Sequence, residues 1–152
     1  KESHKTRVGH SFIKRMMREN GSVFSSELSG HLYFKFQDNV IYDSALRSAI
    51  EIISVLSQKD KAFSELLSQY RVYAKGPEVN FLVDDKIKKI EEIKEHFKDA
   101  KQEELDGITI EYESWWCNIR ASNTEDKLRL NLEANSQERY DEKLMEITRL
   151  LE

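Results

Sequence analysis

The chain has 152 residues, room for one ordinary domain or two small ones, and its 39% hydrophobic and 10% aromatic content gives it enough apolar surface to bury, which excludes a disordered segment. A formal net charge of −4 leaves none of the basic excess that a nucleic-acid partner would call for. No apolar run approaches the roughly 18 residues of a membrane span, and the single cysteine, Cys117, allows no intrachain disulfide, so a reducing cytoplasm is the expected setting. Cys117 has apolar and aromatic neighbours and reads as a buried strand residue rather than a reactive thiol. The opening Lys-Glu-Ser-His-Lys has no signal-peptide character and reads as a chain cut from something longer.

In chain order, residues 10–19 favour a helix that Asn20-Gly21 stops. Residues 22–26 and 31–36 are short strand-like runs joined by a turn at Glu27-Leu28-Ser29-Gly30. A second helix is expected over about 43–57, where Ala45, Ala49, Ile52, Ile53 and Leu56 recur at helical spacing and Asp43 or Ser44 can cap the start. Residues 58–61 form a polar break, and 63–70 a short amphipathic segment. The domain boundary therefore falls near 59–70, giving a first domain over 1–60, a linker with a short helix over 61–70, and a second domain over 71–152.

Beyond the boundary, 71–83 reads as extended, interrupted by Gly76-Pro77, with Val79, Phe81 and Val83 alternating. Residues 85–98 form an amphipathic helix with Ile87, Ile90, Ile93 and Phe97 on one face and Asp84 or Asp85 as its cap. The charge-rich 94–106 is expected to be a solvated helix end and loop. Three strands follow, at 108–112, 115–120 and 127–133, and a last helix opens at Asn135-Ser136. The order β-α-β-β-β-α, each element apolar on one face, is satisfied most simply by two helices covering one side of a mostly antiparallel sheet.

Two turns concentrate chemistry. Arg120-Ala121-Ser122-Asn123-Thr124-Glu125 is dense in donors: Arg120 offers a planar fork suited to phosphate, Ser122 and Thr124 hydroxyls, and Asn123 an amide. Tight-turn backbone N–H groups can converge on an anion, and Lys127 and Arg129 add positive potential nearby. Glu27-Leu28-Ser29-Gly30-His31 brings an acceptor, a hydroxyl and an imidazole together, a set that can read sugar hydroxyls. From composition alone the commoner reading of each is an ordinary polar turn.

The run from Arg120 through Asp126-Lys127-Leu128-Arg129 to Ala134 resembles the phosphate-binding loop and following strand in the C-terminal domain of α-D-phosphohexomutases. Its Arg-Ala-Ser-Asn-Thr form is most similar to the phosphomannomutase/phosphoglucomutase branch. Glu27-x-Ser29-Gly30-His31, flanked by strand-like runs, looks like the sugar-binding loop of that family's third domain, and Arg7-Val8-Gly9-His10-Ser11 is similar to its segment ending in Gly-His-Ser. Two departures stand out: Asp126 where the family commonly has proline, and Ser25-Ser26 where it often has glycines.

The resemblance covers the chain from about residue 6 to its end and implies a mixed α/β and α+β architecture. A partial α/β third mutase domain would precede a C-terminal domain with a mostly antiparallel four-stranded sheet and two helices, like the TATA-box-binding protein. It implies the C-terminal part of a cytoplasmic isomerase interconverting hexose 1-phosphate and hexose 6-phosphate, of mannose or glucose. His10, Glu27, Ser29 and His31 would bind the sugar, with His31 also a candidate to assist proton transfer, and Arg120, Ser122, Asn123 and Thr124 would bind the non-reacting phosphate. No Asp-Gly-Asp run or Ser-His-Asn-Pro motif is present. The Mg²⁺ loop and the phosphoserine are therefore expected outside this chain, which by itself is expected to be inactive, monomeric, and free of metal, membrane or nucleic-acid partners. The rival is a stand-alone phosphosugar-binding module without catalysis. The phosphate reading collapses if the Arg120 guanidinium is tied up in an internal ion pair and faces away from any cleft shared with Glu27.

Overall fold

A computed structural model describes residues 2–122 and 125–152. The chain divides into two compact units, Lys1–Leu67 and Ser68–Glu152.

In the first unit, helix α1 (His10–Asn20) ends at Gly21, whose φ of 74° takes the left-handed conformation that a side chain disfavours. Three short strands, β1 (Phe24–Ser26), β2 (Leu32–Lys35) and β3 (Ile41–Asp43), pair antiparallel in chain order. Strand β3 was not expected from the sequence. A 3-10 turn at Gln37–Asn39 reverses the chain, and β3 then buries Ile41 while Tyr42 and Asp43 stay outside. Helix α2 (Ala45–Ser57) is capped by Ser44, whose Oγ accepts the Arg47 N–H at 3.2 Å. Helix α3 (Phe63–Ser68) closes the unit. Ile13, Met17, Tyr33 and Ile41 form its core.

The second unit holds strands β4 (Ala74–Lys75) and β5 (Val79–Leu82), helix α4 (Lys86–His96), strands β6 (Lys101–Glu103), β7 (Ile108–Glu111), β8 (Trp115–Ala121) and β9 (Lys127–Ala134), and helix α5 (Gln137–Leu151). The sheet runs β4-β9-β8-β7-β6, with β5 also paired to β9, and every pairing is antiparallel. Asp85 and Ser136 cap the two helices by accepting the N–H groups of Lys88 and Arg139.

The mostly antiparallel sheet and two helices match the expectation, but the sheet has six strands rather than four: the extended run 71–83 supplies two, β4 and β5, and an edge strand, β6, is drawn from the charged stretch read as loop. Its charges fit that place. Lys101 pairs with Glu111 across the strands at 2.8 Å, and an edge carrying charge resists pairing with other chains. Gln102, meanwhile, donates to the carbonyls of Lys94 and Phe97 at the end of α4.

Residues alternate strictly in and out along β8 and β9. Trp115, Cys117, Ile119, Leu128, Leu130 and Leu132 are buried with Ile93 and Phe97 of the α4 region and Tyr140, Ile147 and Leu151 of α5. Each fully buried Leu or Ile contributes on the order of 1.5–3 kcal/mol. The Cys117 thiol is pushed up to about 12 by burial, so it stays protonated and inert. Trp116, Asn118, Arg120, Arg129, Asn131 and Glu133, offset by one residue, occupy the opposite, half-buried face.

Candidate functional site

Strand register places Arg120 directly opposite Arg129, and Asn118 opposite Asn131, on the polar face of β8 and β9. Two guanidiniums facing each other across a sheet repel unless something intervenes. Glu78 intervenes: its Oε2 accepts from Arg120 Nη2 at 3.1 Å and Asn131 Nδ2 at 3.1 Å, and its Oε1 accepts from Arg129 Nη1 at 3.3 Å. The internal ion pair that the phosphate reading counted against itself is thus present, and it holds Arg120 through one terminal nitrogen. Arg129 Nη2 also lies 3.8 Å from Glu125 Oε2, so two carboxylates, Glu78 and Glu125, meet three cations, Arg120, Arg129 and Lys127, and the Arg120 side chain keeps 18% of its surface exposed.

The turn after Arg120 is closed by the Ser122 N–H donating to the Lys127 carbonyl at 2.9 Å. That N–H is spent within the turn rather than left to converge on an anion, and Ser122 is buried at 5% exposure. Asn123 and Thr124 lie outside the described residues. Glu125 is held below the usual carboxylate range by a hydrogen bond from Lys127 and by the charges of Lys127 and Arg129. Asp126, the departure from the family's proline, is exposed, and Lys86 Nζ meets both its carboxylate and the Glu125 carbonyl at 3.2 Å. The added negative charge therefore comes with a lysine partner from α4.

In the first unit, the turn over residues 27–31 is cinched by two backbone hydrogen bonds, Glu27 N–H to the His31 carbonyl (2.9 Å) and Gly30 N–H to the Glu27 carbonyl (3.0 Å). Gly30 has φ 89°, the left-handed region that glycine tolerates. The Glu27 carboxylate is the hub. Its Oε1 accepts the Gly9 N–H at 3.1 Å, and its Oε2 accepts the Ser29 hydroxyl at 2.8 Å. Tyr33, buried beneath, is pushed up to about 12, first by burial and then by the charge and hydrogen bond of Glu27. His10 opens α1 beside Gly9 and is exposed, so its backbone neighbour ties it to the turn. Ser25 and Ser26 are strand residues of β1, paired with Tyr33 and Leu32.

His31 is exposed, and its Nδ1 is hydrogen-bonded to the Asp43 carboxylate. That bond and the Asp43 charge raise its pKa above the usual histidine value, with a smaller push from Glu27. The ring is therefore biased toward its protonated, proton-donating form. Of the sequence-read sugar residues, Glu27, Ser29 and His31 thus share one turn. The reading missed Asp43, Tyr33, Lys86 and Glu78. Asp43 looked like a helix cap until Ser44 took that role, and Glu78 carries no motif at all. Among the described residues no group of three or more His, Cys, Asp or Glu side chains comes together as a metal site needs. No helix among them is long and apolar enough to cross a membrane.

Two family models match in succession. Residues 1–73 fit phosphoglucomutase/phosphomannomutase alpha/beta/alpha domain III, and residues 78–150 fit the phosphoglucomutase/phosphomannomutase C-terminal domain. Among curated relatives, a phosphomannomutase of Methanocaldococcus jannaschii is 45% identical over 147 residues, covering 97% of this chain and 32% of the relative. A phosphomannomutase/phosphoglucomutase of Pseudomonas aeruginosa is 33% identical over 142 residues, covering 89% and 30%. A crystal structure of a phosphoglucomutase/phosphomannomutase family protein from Burkholderia thailandensis superimposes with a TM-score of 0.79 at 26% identity, covering 96% of this chain and 31% of that one. The chain thus spans about a third of the length of the relatives it matches.

Proposed function

The chain belongs to the phosphoglucomutase/phosphomannomutase family, and from that premise we propose that it is the substrate-holding part of a phosphohexomutase interconverting hexose 1-phosphate and hexose 6-phosphate, of mannose, glucose or both. The observation that carries this reading is the cluster of Arg120, Arg129 and Lys127, three cations met by the two carboxylates of Glu78 and Glu125, on a chain whose net charge is −4.

In this reading Arg120, Ser122, Asn123 and Thr124 anchor the phosphate that is not being transferred. A guanidinium still has N–H groups to offer after giving one nitrogen to a carboxylate, and charge-assisted bonds to phosphate are among the stronger hydrogen bonds available. The turn of the first unit contributes hydroxyl recognition. The Glu27 carboxylate, set by Gly9 and Ser29, keeps lone pairs for sugar hydroxyls, and His31, biased toward its cationic form by Asp43, can donate to a hydroxyl or phosphate oxygen. A grip remote from the reacting bond speeds transfer by positioning the far end of the sugar. Bond-making is left to a phosphoserine and Mg²⁺ supplied by other parts of a longer protein, and this chain's residues serve only to bind and orient.

Arg120→Ala in the longer mutase tests the reading. Loss of a charge-assisted phosphate contact predicts a rise of about tenfold or more in KM for mannose 1-phosphate and glucose 1-phosphate. Unchanged steady-state kinetics would remove the phosphate role.

A further inference from the structure

Glu78 occupies its place through an irregularity in the sheet. Lys75 pairs with Glu133, and Val79 pairs with Leu130. Three residues, 76–78, therefore face two on β9, Asn131 and Leu132, which is the count of a β-bulge. In an unbroken strand, side chains at odd intervals fall on opposite faces, so Glu78 and Lys75 would be on different sides. The extra residue inverts that parity. Val79 and Phe81 pair with core residues Leu130 and Leu128, while Glu78 falls among the polar-face residues Arg120, Arg129 and Asn131.

The bulge is firmly held. Gly76 lies so close to Tyr140 that a Cβ there would come within 1.9 Å of the tyrosine hydroxyl, which is also hydrogen-bonded to the Gly76 backbone. Pro77 fixes its own φ and lacks the N–H that a ladder would need, and β5 begins immediately after Glu78.

We propose that Glu78 is a positioning residue for the anion site, holding the guanidiniums of Arg120 and Arg129 side by side so that both serve one phosphate. The inference rests on the phosphate reading above and extends it to Arg129. The carboxylate acts in two opposed ways. Its charge repels an arriving phosphate, but its three hydrogen bonds fix two long side chains that would otherwise have to be ordered on binding. The mounting decides between these effects: a displaceable counter-ion needs a mobile support, whereas Glu78 sits between a proline and a paired strand with three donors on its two oxygens.

The test is a titration of the 152-residue chain with inorganic phosphate at constant ionic strength, followed through the Arg120 and Arg129 Nε–Hε resonances in the unmodified chain and the Glu78→Gln, Glu78→Asp, Arg120→Ala and Glu78→Gln/Arg120→Ala variants, with backbone amides as the common readout. Gln keeps one acceptor and sets an amide nitrogen against the other donor, so Glu78→Gln is expected to weaken binding about tenfold. Glu78→Asp, which retains the charge one methylene further back, falls between. Because part of Glu78's effect runs through Arg120, Glu78→Gln costs less once Arg120 is alanine than in the unmodified chain, whereas a general loss of stability would cost the same in both backgrounds. The same spectra report whether each variant is folded. Equal or tighter binding in folded Glu78→Gln, with Arg120→Ala still weakened, overturns this inference and leaves the anchor standing. No change in Arg120→Ala removes the anchor and the inference together.

Discussion

The two units carry their candidate residues on very different foundations. Among the described residues, the second buries sixteen hydrophobic residues between one sheet face and two helices, and Arg120 projects from the far side of two central strands whose inward residues are almost all inaccessible. The first buries four. Its α2 buries none, although Leu46, Ile50 and Ile53 stand at helical spacing and are more than half exposed. Arg120 therefore rests on a frame that its own core stabilises. The turn over residues 27–31 rests on a small frame and is fixed chiefly by hydrogen bonds: Glu27 with Gly9 and Ser29, His31 with Asp43. In one unit packing sets geometry; in the other a polar network does.

The sharpest way to break that contrast is to hollow the second core. Ile119 is fully buried in β8, next to Arg120, and Ile119→Ala should cost about 2–5 kcal/mol in urea unfolding of the chain. A loss below ~1 kcal/mol would mean that packing does not hold the anchor's frame. On α2, Ile53 is 64% exposed and outside the core, so Ile53→Asn should change stability of this chain by no more than about 0.5 kcal/mol. A larger loss would show that the stripe is covered in solution.

The smallest effect is electrostatic. Asp43→Asn should lower the His31 pKa toward the ordinary value of about 6.5, read by NMR titration of the ring. The sign follows from linkage. A histidine whose folded pKa is raised contributes its stabilisation fully below the unfolded pKa and loses it as pH rises through the folded pKa. An unmoved titration curve in Asp43→Asn would detach Asp43 from the turn.

How far the sequence anticipated this arrangement depends on how local each determinant is. Gly21 after α1, Asp85 before α4 and Ser136 before α5 announce helix ends through chemistry confined to a few residues, and the structure uses all three. Strict alternation made β7, β8 and β9 readable. Strands β3 and β6 escaped because each has only three residues, too few for alternation to register, and because β6 carries charge suited to an edge. Asp43 and Ser44 were equal candidates for one cap, and only the folded chain shows that Ser44 takes it while Asp43 turns to His31. Glu78 was the least visible. Gly76-Pro77 marked an interruption, but the face Glu78 takes depends on a register set against β9, about fifty residues away. In the turn after β8, Arg120 and Ser122 stood out as donors, while the ion pair that claims part of Arg120 was hidden for the same reason.

The central claim is that the corner around Arg120 binds a phosphate dianion. Its most direct test is a backbone amide map of the chain titrated with mannose 1-phosphate and, separately, with mannose. The account predicts saturable shifts at residues 120–124, 78 and 129 with the phosphorylated sugar and none there with mannose. Shifts that avoid that corner, or that are equal for the two ligands, would contradict it.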